Sequence, residues 1–190
     1  MNSYAPIYLV SVPRSGATLL GAMLNNHKSI AMFNEPWFLY MLPKYESLCR
    51  RGQVKSLVNY LSNAAERFGV TLDMEFIESV MTEINGLRIS NPFDVFVLFM
   101  ERYANHMEKR RWGIKQPFGI FYVPQLLKRI PDLKIIHVVR DPRATVAQRM
   151  RKESDVKEDL VRALRFSRSC SKMMSYVKHI NGLCSANYLE

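Results

Sequence analysis

Arg14, Ser15, Gly16 and Thr18 follow the apolar run Ile7-Tyr8-Leu9-Val10 and precede a helical pattern through Met23, Leu24 and His27. A strand, a tight polar turn and a helix N-terminus together favour anions. The first N–H groups of a helix have no intrahelical partner, and the aligned peptide dipoles leave positive charge there. Ser15 and Gly16 permit close backbone approach, and Arg14 offers a planar fork for phosphate or sulfonate oxygens. The hydroxyls of Ser15 and Thr18 can donate as well. The expected ligand is a phosphate- or sulfate-bearing cofactor. The same residues also fit an ordinary strand–turn–helix junction with a surface arginine. The turn has neither the lysine and spacing of G-x-x-x-x-G-K-[ST] nor the G-x-G-x-x-G of dinucleotide sites.

Arg140 ends the most apolar strand candidate, residues 133–139, which contains Ile135, Ile136, Val138 and Val139. A strand ending this way delivers a guanidinium to the C-terminal edge of a parallel sheet, where open α/β sheets bind ligands. Arg143 and the later arginines read as a solvated face. Asp141 reads equally as the cap of the next helix or as a ligand contact. Lys115, before Gln116-Pro117, is either a site cation or a solvent lysine before a turn. Glu35, before Pro36, is either a general base or a turn acid. Trp37 and Phe38 either shape a pocket or join the core. His27 suits the end of the first helix as a cap; His106 and His137 read as structural. Cys49, Cys170 and Cys184 have no close metal-ligand spacing, so reduced structural thiols are expected and no metal site.

These groups need elements to hold them. Residues 4–12 read as a strand buried on both faces, and residues 15–27 as the first helix. Residues 30–33 form a short second strand, and Pro36 and Pro43 punctuate the chain beyond it. Helical patterns cover 54–68, 74–85 and 93–107. A strand at 111–114 ends at Lys115. Residues 119–130 are helical with Pro124 in the first turn, and residues 144–151 form a helix after Arg140. A long amphipathic helix is expected over 155–180, broken near 167–171, and the tail 181–190 gives no element. Strands alternating with helices imply an α/β domain of three layers, a short parallel sheet flanked by helices. Residues 44–109 form a largely helical insertion between sheet strands.

The 190 residues suit one domain spanning 1–190, and 48% hydrophobic content argues against a disordered chain. Lys and Arg exceed Asp and Glu by 27 to 17, a net charge of +10. The excess favours anionic partners of any kind. It gathers late, in Arg140, Arg143, Arg149, Arg151, Lys152, Lys157, Arg162, Arg165, Arg168, Lys172 and Lys178. No stretch reaches the ~18 apolar residues of a membrane span, and the N-terminus shows no signal-peptide pattern. A cytoplasmic or otherwise soluble intracellular protein without integral membrane association is expected.

Residues 12–20, Val-Pro-Arg-Ser-Gly-Ala-Thr-Leu-Leu, resemble the 5′-phosphosulfate loop of the sulfotransferase family, whose cofactor is 3′-phosphoadenosine-5′-phosphosulfate (PAPS). The arginine form of the loop, the segment Met23-Leu24-Asn25-Asn26-His27 and Glu35 are most similar to the tyrosylprotein and carbohydrate branches. Residues 136–144, Ile-His-Val-Val-Arg-Asp-Pro-Arg-Ala, resemble the family's 3′-phosphate strand and turn. Lys115-Gln116-Pro117 resembles the Lys-x-Pro segment of tyrosylprotein-like members. The resemblance implies a P-loop NTPase-like domain and transfer of a sulfuryl group to a hydroxyl. It assigns the 5′ side of the cofactor to Arg14, Ser15, Gly16, Ala17, Thr18 and Leu19, and the 3′-phosphate to Arg140. The family's serine eight residues after that arginine is Gln148 here, whose amide can also donate. Glu35 is implied as the base, with Lys115 and Arg14 stabilising the charge that develops during transfer.

No metal is required by that scheme, and the acceptor is a small-molecule, carbohydrate or peptide hydroxyl. The family pattern continues to a basic, glycine-containing loop that is not recognisable before Glu190, so a C-terminally minimal or truncated member is expected. Two other readings predict different ligands. A small-molecule kinase with a variant P-loop would need ATP and Mg²⁺. A noncatalytic anion- or RNA-binding module would show salt-sensitive binding without turnover. Nucleic acid is the less favoured partner, because no RNA motif or aromatic stacking strip is present.

Overall fold

The computed structural model describes residues 4–150, 188 and 189. In chain order the elements are β1 (Ile7–Ser11), α1 (Ala17–Asn26), β2 (Ile30–Asn34), α2 (Phe38–Arg50), α3 (Lys55–Glu66), α4 (Met74–Gly86) and α5 (Pro92–His106). Next come β3 (Arg111–Pro117), a 3-10 helix (Gly119–Tyr122), α6 (Val123–Arg129), β4 (Lys134–Val138), α7 (Pro142–Met150) and β5 (Tyr188–Leu189). The strand order is β2-β3-β1-β4-β5. β1 pairs with β4 in parallel from Ile7–Lys134 to Ser11–Val138, and β4 pairs with β5 in parallel at Ile135–Tyr188 and Ile136–Leu189. This is an α/β domain with a small parallel sheet flanked by helices. The helix expected over 155–180, with Cys170, Cys184 and the basic cluster from Arg151 onward, lies outside the described residues.

The chain divides into two compact units, one of residues 1–4 and 23–114, the other of residues 5–22 and 115–190. The first has an aromatic core. Phe33 of β2 meets Phe99 and Tyr103 of α5 edge-on, and Phe38 of α2 stacks on Phe96 with centroids 4.3 Å apart. Asn91 caps α5 by accepting the Phe93 N–H at 2.8 Å, with Pro92 just inside the helix. Asp73 caps α4 through the Phe76 N–H at 2.8 Å. Both helices end in a left-handed residue, Arg88 and Glu108, with return bonds from Ile89 to Ile84 and from Lys109 to Ala104. Arg102 ties α5 to α4 through two bonds to Glu83, each 2.5 Å, and holds that carboxyl below its usual range.

α2 departs from the sequence expectation, in which Pro36 and Pro43 act as punctuation. Pro43 lies inside it on the solvent side, while Phe38, Leu39, Leu42, Tyr45 and Cys49 are buried. A helix-interior proline costs ~3 kcal/mol, and each buried large side chain returns ~1.5–3 kcal/mol. Packing therefore outweighs the local penalty. Cys49 is a free, buried thiol whose pKa burial pushes up, as suits a structural cysteine.

In the second unit, all five residues of β1 are buried. The Tyr8 hydroxyl donates to the Gly119 carbonyl at 3.1 Å, and the Phe118 N–H donates to the Ser11 carbonyl at 2.8 Å. A Cβ at Gly119 would collide with the Tyr8 hydroxyl, so a side chain here forces one of the two to shift. β3 runs two residues past its expected end at Lys115, to Pro117, and from Trp112 onward every residue is buried.

Candidate active site

The register of β1 against β4 sets Ser11 beside Val138. The two strands are parallel, so the turn after β1 and the turn after β4 leave the sheet at the same edge, each leading into a helix. The first turn contains Arg14 and the second Arg140. Arg140 donates from Nη1 to the main-chain carbonyl of Arg14 at 2.9 Å and to Oε1 of Gln148 at 2.6 Å. Three residues singled out in the sequence thus come together.

The first turn is tight. Ser15 donates from both its N–H and its hydroxyl to the Val12 carbonyl, at 3.3 and 2.7 Å. Its hydroxyl closes the turn and must rotate away from Val12 to reach an anion. Arg14 has φ 72° and Gly16 φ 101°. The glycine takes that conformation freely, while the arginine carries strain of about 1–3 kcal/mol. Arg140 holds the carbonyl of that strained residue. Among the described residues, nothing lies within 4 Å of where a Gly16 Cβ would stand. Arg14, Gly16, Thr18 and Leu19 are at least partly exposed and Ala17 is buried. The first turn of α1 contains no acidic residue.

The second turn is organised by Asp141. Its Oδ1 accepts the Arg143 N–H at 2.8 Å, and its carbonyl accepts from the N–H and hydroxyl of Thr145. Asp141 is therefore the cap at the start of α7. The exposed Arg143 guanidinium also pairs with it, at 2.8 Å from Nη2, and pulls the Asp141 carboxyl down to about 2. Arg143 is thus engaged with Asp141.

Lys115 belongs to the same unit and is buried at 2% exposure, with Gln116 beside it at 2%. The reading of Lys115 as a solvent lysine is therefore overturned. Burying an ammonium costs free energy, so such a residue marks a site where its charge is used or closely satisfied.

Glu35 belongs to the first unit and stands directly after β2. It has φ 44°, Pro36 is buried, and Trp37 has φ 52°. The three residues form an elbow entering α2. The Tyr60 hydroxyl donates to the Pro36 carbonyl at 2.7 Å. Trp37 is half-buried beside the Tyr40 ring at 5.2 Å, whereas Phe38 is core. Asn34 Oδ1 is buried without a hydrogen-bond partner among the described residues. Sequence reasoning does not single out Asn34 or Tyr60. The tyrosine is 24 residues from its partner, and no local pattern signals that contact.

Three of the four histidines lie among the described residues. His27 accepts the Ser29 N–H at Nδ1, in the turn after α1. His106 meets Phe76 edge-on at 5.3 Å. Burial lowers the pKa of His137 in β4. Among the described residues no group of three His, Cys, Asp or Glu could hold a metal.

A family model described as the sulfotransferase family matches residues 6–186. The chain belongs to the sulfotransferase family. The match covers the turn after β1, the turn after β4 and the helical segment between them in this sulfotransferase-family chain. No curated protein matches the chain. No helix among the described residues is long and apolar enough to cross a membrane.

Proposed function

We propose that this chain transfers a sulfuryl group from PAPS to a hydroxyl of a small-molecule, carbohydrate or peptide acceptor, in the manner of the tyrosylprotein and carbohydrate branches. The observation that carries the reading is the bond from Arg140 to the carbonyl of Arg14, which sets two cationic turns side by side at one sheet edge. A nucleotide with anionic groups at both its 5′ and 3′ positions fits that donor set. The set comprises the Arg140 guanidinium, the Gln148 amide, a helix N-terminus free of acids in the turn that carries Arg14 and, among the described residues, open space at Gly16.

The nucleotide, when bound, supplies the activated sulfuryl group. Arg14 and the loop from Ser15 to Leu19 hold its 5′ side in a P-loop-like cradle, while Arg140 and Gln148 hold the 3′-phosphate. Glu35 accepts the proton of the attacking hydroxyl as the new S–O bond forms. Lys115 and Arg14 stabilise the negative charge left on the phosphate as the old S–O bond breaks. The reading gives no step to a metal ion.

The test is a radiolabelled transfer assay with PAPS and phenolic, sugar and peptide acceptors. Label moving to an acceptor, with turnover cut roughly 10²- to 10⁴-fold in a folded Glu35→Gln variant, supports the reading. A Glu35→Gln variant as active as the parent removes Glu35 from the mechanism, and no transfer to any acceptor class contradicts the reading as a whole.

A further inference from the structure

The helical segment between β2 and β3 reads as generic in sequence, yet α3 reaches the residues around Glu35. Tyr60 donates its hydroxyl to the carbonyl of Pro36 at 2.7 Å. Pro36 lies between two residues in the left-handed region, Glu35 at φ 44° and Trp37 at φ 52°. Backbone of this kind is disfavoured for residues with side chains and persists where neighbouring structure enforces it. The Trp37 carbonyl accepts from Tyr40 and Met41 and so anchors the far side of the elbow to α2. The Pro36 carbonyl is anchored instead from α3, across 24 residues.

We propose that Tyr60 is a positioning residue. Its hydroxyl fixes the Glu35-Pro36-Trp37 elbow and thereby the place of the Glu35 carboxylate. The inference rests on the reading of Glu35 as the base. The Tyr60 ring packs against Tyr45 at 5.3 Å, so removing the hydroxyl alone leaves the ring contact in place. Burial raises the Tyr60 pKa even though Arg67 acts to lower it. The phenol therefore stays protonated and able to donate across the neutral range.

Tyr60→Phe is the informative variant, and two readouts decide the matter. In ¹⁵N-indole spectra of the full chain, the Trp37 signal moves or broadens while that of Trp112, packed edge-on against Phe96, stays in place. An unchanged Trp37 signal overturns the proposal whether or not the protein turns over substrate. In the transfer assay, kcat falls about tenfold, the scale of a small misplacement of a catalytic group, while affinity for adenosine 3′,5′-bisphosphate is unchanged. In a Glu35→Gln background the same substitution costs less than about twofold, because the carboxylate it positions is already gone. An equal tenfold loss in both backgrounds, or a full kcat in Tyr60→Phe, also overturns it. A parent protein without PAPS-dependent transfer defeats the functional reading instead, and the indole signals still decide whether Tyr60 holds the elbow.

Discussion

The guanidinium of Arg140 lies 2.9 Å from the main-chain carbonyl of Arg14, a residue 126 positions earlier in the chain. The contact links the turn after β1 to the turn after β4, and Gln148 completes it from α7 at 2.6 Å. Arg140 therefore holds the neighbouring loop, and in the proposed function its second task is to present charge to a ligand.

Both tasks fail together when Arg140 is removed. Arg140→Ala is expected to weaken binding of adenosine 3′,5′-bisphosphate by roughly 10- to 100-fold, the scale of a charged hydrogen bond. It should also weaken inorganic pyrophosphate, a ligand for the first loop alone, because the Arg14 carbonyl loses its restraint. Arg140→Lys should fall short as well, since an ammonium lacks the planar fork. Calorimetric titration of both ligands checks this. Unchanged pyrophosphate binding would show that the loop does not depend on Arg140.

Lys115 is buried, and its replacement separates catalysis from stability. Lys115→Met is expected to lower kcat by about 100-fold, as loss of a charge-stabilising donor does. The melting temperature should fall by only a few degrees, the cost of leaving the group that Lys115 contacts without its partner. Thermal denaturation beside the transfer assay tests the pair of outcomes. A large drop in melting temperature with turnover retained would assign Lys115 to the fold.

Gly119 abuts the Tyr8 hydroxyl. Gly119→Ala should destabilise the protein by about 1–3 kcal/mol, as overpacking does. Adding Tyr8→Phe removes the obstructing oxygen and should recover part of that loss, a coupling that denaturant titration of the two single variants and the double variant measures. Strict additivity would count against the close approach.

His137 gives a pH signature. Its folded pKa is depressed by burial, so the unfolded chain binds the proton more readily. The stability linked to this residue is complete above the unfolded value of about 6.5. It declines as pH falls through that value toward the lower folded one. His137→Leu should flatten the dependence between pH ~7.5 and ~5.5, the side of the usual histidine range where the difference acts. Equal slopes in the two proteins would contradict the burial.

Much of the fold is legible in the sequence because strong periodicity marks it. The strand expected at 133–139 is β4 at Lys134–Val138, and the pattern at 93–107 is α5 at Pro92–His106. Packing decides the elements that escape. α2 hides behind two prolines that local rules treat as breaks, and its buried face overrides them. The end of β3 hides behind Lys115 and Gln116, polar residues that seldom occupy a buried strand. The left-handed conformations of Glu35, Trp37 and Phe118 fall on residue types that give no sign of them. Arg14, Arg140 and Lys115 are visible as cations at the ends of strand candidates. That Arg140 grips the main chain of Arg14, and that Gln148 accepts from it, depends on a register that only the folded sheet supplies.

The central claim is that the two joined turns form one site for an adenosine nucleotide with anionic groups at both ends. Calorimetric titration of the full chain with adenosine 3′,5′-bisphosphate, set beside ATP, tests it most directly. The account predicts a clear preference for the bisphosphate that Arg14→Ala and Arg140→Ala each abolish. ATP binding as tight or tighter, or a preference that survives both substitutions, would contradict it.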